Sequence, residues 1–482
     1  MGVFRRLAER LRPVADPIKH VVVLMLENHS FDQMLGCFKS VYPHLEGVDV
    51  ASLRFNAGLD GARYYQAESF DPIVDPDPMH ELHNIERQLA GDNGGFVAEY
   101  QRQHPERPNL DPQKIMNYFA LDALPALHCL ARHFAICDHW FSSVPGPTWT
   151  NRFFVHSGTS QGLVEMPTSV GDTHLYLHYT QDTIFDRLSE RGIKWRVYCG
   201  DVPQSLVLSH QRRVKNAMRY RFMRSFYSNT KEREEDFPQY CFIEPNYMKG
   251  EQNDDHPAHS TMRAQRLLAN VYNAIRKNER LWQSTLLVVL YDEHGGFYDH
   301  VSPPSCIPPD DLNEQYGFNR LGVRVPALLI SPWIDKGVVN TQFDHTSLLK
   351  YLSDKWDLGA LTARVSNANS LGPVIRTKGG PRTDTPLEVP VPALAMALRA
   401  EELPIGAAED STLEELNEPE NDLQKSLIVF AEHLGERETR RSKAPQPMMM
   451  AGPLAEGELA KRRVEGFLNQ QAEDGVAASI GE

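Results

Sequence analysis

The chain has 482 residues, 41 % of them hydrophobic and 24 % charged, a composition that excludes collagen, coiled coil and wholesale disorder. Its formal net charge of −14 argues against a broad nucleic-acid face, which needs basic residues. The same charge leaves room for a local carboxylate site that holds a cation.

The first twenty residues are basic but carry no apolar h-region, and Arg5-Arg6 is followed by charged residues rather than an export signal. Arginine at position 6 removes the myristoylation pattern from Gly2. No apolar run approaches ~18 residues, so no transmembrane segment is predicted. The expectation is a cytoplasmic protein, with export by a specialised secretion route as the alternative. The six cysteines form no CxxC pair and read as buried thiols rather than a disulfide framework or a zinc–cysteine site.

His20–Leu26 (HVVVLML) is a β-branched apolar run that stops abruptly at polar residues, the pattern of a buried parallel strand. Thr285–Tyr291 (TLLVVLY) repeats it, again with acids directly after. A third run, 323–330, contains Pro326, which predicts an edge or bulged strand. Weaker strand patterns cover 194–198 and 240–243. Helical periodicity covers 124–136, 182–190, 260–277, 346–356 and 423–434. Strands alternating with helices predict an α/β sandwich. The stretch 366–420, rich in Pro, Gly and acids, reads as an irregular excursion or lid. Residues 1–435 are taken as the catalytic unit, and 436–482 as a charged, mobile C-terminal tail with one short helix at 454–468.

The chemistry collects at the ends of the two best strands, where α/β proteins bind ligands. The first runs into Glu27-Asn28 and the second into Asp292-Glu293-His294. Two acid-bearing pairs at one sheet edge make a hard oxygen site for a divalent cation. A second cluster is Pro145-Gly146-Pro147-Thr148-Trp149-Thr150-Asn151-Arg152. It offers a hydroxyl at a helix start, where amide groups suit a phosphate, with Arg152 one turn on to clamp an anion and Asn151 to donate to it. The plainer alternative is an N-cap threonine. A third cluster, Asp254-Asp255-His256, suits acid–base work or is simply a turn, as do Asp77-Pro78-Met79-His80 and Asp344-His345. Gly158-Thr159-Ser160-Gln161-Gly162 matches G-x-S-x-G, but the preceding residues are helical rather than a strand, so a serine esterase using Ser160 is disfavoured.

Taken together, KHVVVLMLENHSFDQMLG, DPMH, DHWFSSVPGPTWTNRFFVHSGTS, NDDHP, VVLYDEHGGFYDHVSPP and RVPALLISPWIDKG resemble the bacterial phosphoesterase family of phosphatidylcholine-type phospholipases C and related acid phosphatases. The matching segments run from about residue 18 to 356. The resemblance implies an alkaline-phosphatase-like three-layer α/β sandwich around a mostly parallel sheet. It implies Glu27, Asn28, Asp292 and Glu293 as metal ligands and Thr148 as nucleophile. His80, Asp255 and His256 would line the phosphate pocket, with Asn151, Arg152, His294 and His345 as less direct substrate contacts. The expected reaction is metal-dependent phosphate-ester hydrolysis through a phosphothreonine, with a phospholipid at a membrane surface as the favoured substrate. Phosphomonoesters, as for an acid phosphatase, are the alternative. The aromatics Trp140, Phe141, Trp149, Phe297 and Tyr298 tilt that choice toward a bulky diester. One or more ions of Mg, Ca, Mn or Zn would fit such ligands.

Overall fold

The computed structural model describes residues 16–166, 179–248, 252–393, 421–442 and 453–480. Eight strands build one sheet: β1 (His20–Leu26), β2 (Ala135–Cys137), β3 (Trp195–Cys199), β4 (Tyr220–Phe222), β5 (Tyr240–Glu244), β6 (Thr285–Tyr291), β7 (Ala327–Ile330) and β8 (Gly337–Val339). Their order across the sheet is β8-β2-β7-β6-β1-β5-β3-β4. Every neighbouring pair is parallel except those made by β7, which runs antiparallel to both β6 and β2. All seven residues of β1 and all seven of β6 are buried. Side chains on both sides of these strands are therefore covered, as a helix–sheet–helix sandwich requires.

The helices that matter for the site are α1 (Phe31–Leu35), α2 (Phe96–Gln103), α3 (Pro125–His133), α4 (Thr148–Ser157), α5 (Ile184–Glu190), α6 (Thr261–Arg276), α7 (His345–Trp356), α8 (Asp422–Ser442) and α9 (Pro453–Ile480). The amphipathic pattern of α6 sets its register, since Ala264, Leu267, Leu268, Val271 and Ile275 are all buried on one side. Ser260 caps it by accepting from the Met262 amide.

Pro326 behaves differently from the expectation. It delays the strand within the run 323–330, so β7 starts at Ala327, yet β7 lies inside the sheet between β6 and β2. Pro326 sits just outside the ladder, where its missing N–H costs no strand pairing and its carbonyl still accepts from the Tyr291 amide at 3.3 Å.

The excursion 366–420 is described as far as residue 393, and 394–420 lie outside the described residues. The described part runs along α6: Asn273 donates to the Val389 carbonyl at 2.9 Å and accepts from the Val389 amide at 2.8 Å. The helix expected at 454–468 is the longer α9, which packs on α8 and buries Ala460 and Val464. Residues 443–452 of the expected tail lie outside the described residues.

Candidate active site

The shared register of β1 and β6 decides where the chemistry sits. Leu26 lies opposite Tyr291, so Glu27-Asn28 and Asp292-Glu293 leave the sheet side by side at its carboxyl edge. The two exits are tied together, with the Asp292 amide donating to the Leu26 carbonyl and the His29 amide to the Glu293 carbonyl, both at 3.1 Å. Asn28 turns in the left-handed region (φ 56°) and donates its N–H to Asp292 Oδ1 at 3.2 Å. Gly295 closes the turn at φ +61°, and a Cβ there would stand 2.2 Å from the Asn28 carbonyl oxygen.

Glu27, Asn28, Asp292 and Glu293 are all fully buried. Burial raises the pKa of Glu27 well above the usual range, with Arg152 opposing and Asp292 reinforcing the shift. Asn28 Oδ1 and Glu293 Oε1 have no hydrogen-bond partner. Buried carboxylate and amide oxygens crowded together with too few donors are the donor set a hard divalent cation satisfies. The residues present fit such an ion.

Thr148 is the first residue of α4, and Pro147 occupies the cap position. The threonine is therefore not an N-cap; its hydroxyl instead donates to Glu27 Oε2 at 3.2 Å. Arg152, one turn on, is buried against the same acids. Its Nε donates to Asp292 Oδ2 at 3.1 Å, Nη2 pairs with Glu27 Oε1, and Nη1 has no hydrogen-bond partner. Its guanidinium lies 5.4 Å from the Tyr247 ring centroid.

His80 approaches from the opposite members of the set. Its Nε2 lies 3.3 Å from the Asn28 amide nitrogen and 3.5 Å from Glu293 Oε1. Burial opposes a charge on His80, but Glu293, Asp422 and Asp77 outweigh it and hold the pKa at about 9. His256 stands nearby, its ring 6.2 Å from that of His80. Burial again opposes its charge, and Asp77 and Asp422 still raise its pKa well above 6.5. Burial lifts Asp77 itself to about 6. A cavity of about 570 Å³ opens beside His80, bounded by Asp77, Arg107, His259, Asp422 and Lys425. A larger cleft, of about 850 Å³ between Tyr227, Asn273 and Glu388, contains none of these groups.

Other expected contacts fall elsewhere. Asp255 points to Tyr291, whose hydroxyl donates to Oδ2 at 2.5 Å, and burial lifts its carboxyl to about 8. Asn151 braces the Pro-Gly-Pro turn: its Oδ1 accepts from the Val144 amide at 3.1 Å and its Nδ2 donates to the Gly146 carbonyl at 2.8 Å. Both ends of that amide are engaged within the turn, so it holds α4 in place instead of reaching an anion. His345 acts through the backbone, with Nε2 donating to the Asp292 carbonyl at 2.7 Å, while His294 bonds Gln88 at 2.9 Å. Ser160 donates to the Leu163 carbonyl at 2.8 Å and follows a helix, so no nucleophile elbow forms. Trp140, Phe141, Trp149, Phe297 and Tyr298 are all buried and line the core rather than an open pocket. Asp422 is a contact the sequence reading missed, because nothing local marks the first residue of a helix as reaching a distant histidine pair.

Residues 18–359 match the model of the Phosphoesterase family. The chain belongs to that family. It is 34 % identical over 457 residues to non-specific phospholipase C3 of Arabidopsis thaliana, covering 87 % of this chain and 84 % of the relative. It is 36 % identical over 399 residues to non-specific phospholipase C6 of the same plant, covering 78 % and 75 %. Phospholipase C B of Mycobacterium tuberculosis is 27 % identical over 389 residues, covering 70 % and 72 %. The protein is thus a phosphoric ester hydrolase of this family. Among its described residues no helix of this phosphoesterase is long and apolar enough to cross a membrane.

Proposed function

We propose that this phosphoesterase hydrolyses phosphodiesters of the phospholipid type, releasing the alcohol and a phosphomonoester, with Thr148 as nucleophile. The observation that carries the reading is the Thr148 hydroxyl donating to Glu27 at the start of α4, within a buried set of unsatisfied oxygens. The names of the plant and mycobacterial relatives support the substrate class.

Glu27, Asn28, Asp292 and Glu293 would hold a divalent ion, which when bound supplies Lewis acidity for phosphate oxygens and for the attacking hydroxyl. Glu27 accepts the hydroxyl hydrogen bond, orients Thr148 Oγ1 toward phosphorus and takes the hydroxyl proton as Oγ1 attacks. Arg152 Nη1, which has no hydrogen-bond partner within the protein, is the donor available to stabilise the charge on the phosphoryl oxygens. Oγ1 forms a bond to phosphorus as the bond to the alcohol oxygen breaks. The departing oxygen takes its proton from His80 or His256, whose charged forms are favoured by Asp77 and Asp422 and, for His80, by Glu293. Water then attacks the phosphothreonine and gives a proton back to the imidazole, while Thr148 Oγ1 leaves with the electron pair of its bond to phosphorus and takes its proton back from Glu27.

The test is hydrolysis of p-nitrophenylphosphorylcholine beside p-nitrophenyl phosphate, by wild type and Thr148→Ala, with and without chelator. Diester cleavage lost in both the variant and the chelated sample supports the reading. Cleavage of the monoester alone moves the substrate to the acid-phosphatase class and keeps the site. Activity indifferent to Thr148 and to chelator sinks the proposal.

A further inference from the structure

Asp422 lies well beyond residue 359, where the family match ends, yet it meets both histidines of the site. Its Oδ2 is 3.8 Å from His80 Nε2 and its Oδ1 is 3.8 Å from His256 Nε2. The other nitrogen of each ring faces backbone: His80 Nδ1 donates to the Pro78 carbonyl at 2.9 Å, and His256 Nδ1 meets the Pro257 carbonyl. With both Nδ1 atoms engaged, the two Nε2 atoms share Asp422 at 3.8 Å, His80 also meeting Asn28 and Glu293 and His256 also meeting Asp77 Oδ2 at 3.9 Å.

The carboxylate is held there by more than its two histidines. The Leu423 amide donates to Asp422 Oδ1 at 2.9 Å, as suits an acid in the first turn of a 21-residue helix. Gln424 donates from its side chain to the Tyr247 carbonyl at 2.8 Å, which ties α8 to the residue beneath Arg152. Leu423, Leu427, Phe430 and Ala431 are fully buried in the main core. The start of α8 is a fixed wall of the site, and Asp422 stands on it 28 % exposed at the cavity.

The geometry points to Asp422 as a positioning residue: its two oxygens hold the His80 and His256 Nε2 atoms toward one point, from which a proton reaches the departing alcohol. This rests on the reading that the histidine pair serves the leaving group. The bond from phosphorus to the alcohol oxygen breaks, that oxygen keeps the electron pair and takes the imidazolium proton, and the attacking water later restores it. Thr148 contacts Glu27, whereas the histidine pair contacts Asn28, Glu293 and Asp422. Nucleophile and proton donor thus approach from different members of the set. The start of α8 is part of the catalytic unit on this account.

The experiment compares full-length wild type, Asp422→Asn and Asp422→Glu on two esters of one phosphoryl group that differ in leaving alcohol. p-Nitrophenylphosphorylcholine loses a phenolate that needs no proton, and glycerophosphocholine loses an alkoxide that does. Asp422→Asn is expected to lower kcat on the alkyl ester about 10²-fold and on the p-nitrophenyl ester at least tenfold less, with Asp422→Glu recovering part of the alkyl-ester rate. Misfolding scales both rates alike, so the ratio reads the role of Asp422 by itself. Equal losses on the two esters, an unchanged alkyl-ester rate, or faster turnover from removal of a plug would each overturn the proposal. So would loss of bound metal in Asp422→Asn, which would make Asp422 a ligand. The pair p-nitrophenyl phosphate and glycerol phosphate gives the same ratio for a monoesterase, so a wrong substrate class and a wrong role for Asp422 are told apart.

Discussion

Two buried acid clusters flank the same strand ends, and each encloses an arginine. In the first, Arg152 sits between Glu27 and Asp292. In the second, Arg324 sits between Asp32 and Asp299, at 3.0 and 2.9 Å. The second is closed. Arg324 also donates to the Glu46 and Asp138 carbonyls at 2.6 and 2.7 Å. His300 bridges Asp32 at 2.7 Å and Glu46 at 2.9 Å. Asp299 takes the Val301 amide at 2.9 Å and the Asp32 amide at 3.1 Å. The first is open, leaving Asn28 Oδ1, Glu293 Oε1 and Arg152 Nη1 without hydrogen-bond partners. A saturated charge network is a structural joint, whereas an unsaturated one at a strand end has the donors and acceptors a ligand would need.

The contrast is tested most severely by activity. Glu293→Gln should lower kcat/KM about 10³-fold and leave the melting temperature unchanged or higher, since it removes repulsion from the open cluster. A matched fall in stability would break the distinction. Arg324→Met should do the reverse: unpaired Asp32 and Asp299 cost about 3–5 kcal/mol in urea unfolding, with the remaining folded enzyme retaining its turnover per molecule. His345→Phe removes the bond to the Asp292 carbonyl. A metal titration should show binding weakened about 10–100-fold, with little change in melting temperature.

The smallest effect concerns pH. Burial opposes the charge on His300, but Asp32 raises its pKa to about 9 from 6.5. Its contribution to stability is therefore full below pH 6.5 and is lost as pH rises through 9. The melting-temperature gap between wild type and His300→Gln should be roughly 2–4 °C at pH 6 and close above pH 9. A gap independent of pH would mean that His300 packs without carrying charge.

The same two clusters show what could be read from the chain. Abrupt polar ends on His20–Leu26 and Thr285–Tyr291 located Glu27, Asn28, Asp292 and Glu293, because strand periodicity fixes where side chains leave the sheet. Asp32, Asp299 and His300 belong to the same runs, ENHSFD and DEHGGFYDH, and nothing local separates them from the open set. Arg324 makes the difference, and it arrives from just before β7. Asn151 looked like an anion donor until the turn it braces was in view. Asp422 is the extreme case: its partners His80 and His256 are joined to it only by the packing of α8, which no spacing encodes.

The common frame of β1 and β6 also limits how this chain can vary. Side chains alternate along a strand with a period of two, so a one-residue slip of β6 against β1 would turn Asp292 and Glu293 to opposite sides. Gly295 tightens the tolerance further, because the chain passes too near Asn28 for any added atom. Length changes in loops that carry none of the site's residues leave the side chains of Glu27, Asn28, Asp292 and Glu293 in place. Within residues 20–29 and 285–295, by contrast, a change of length is a change of chemistry.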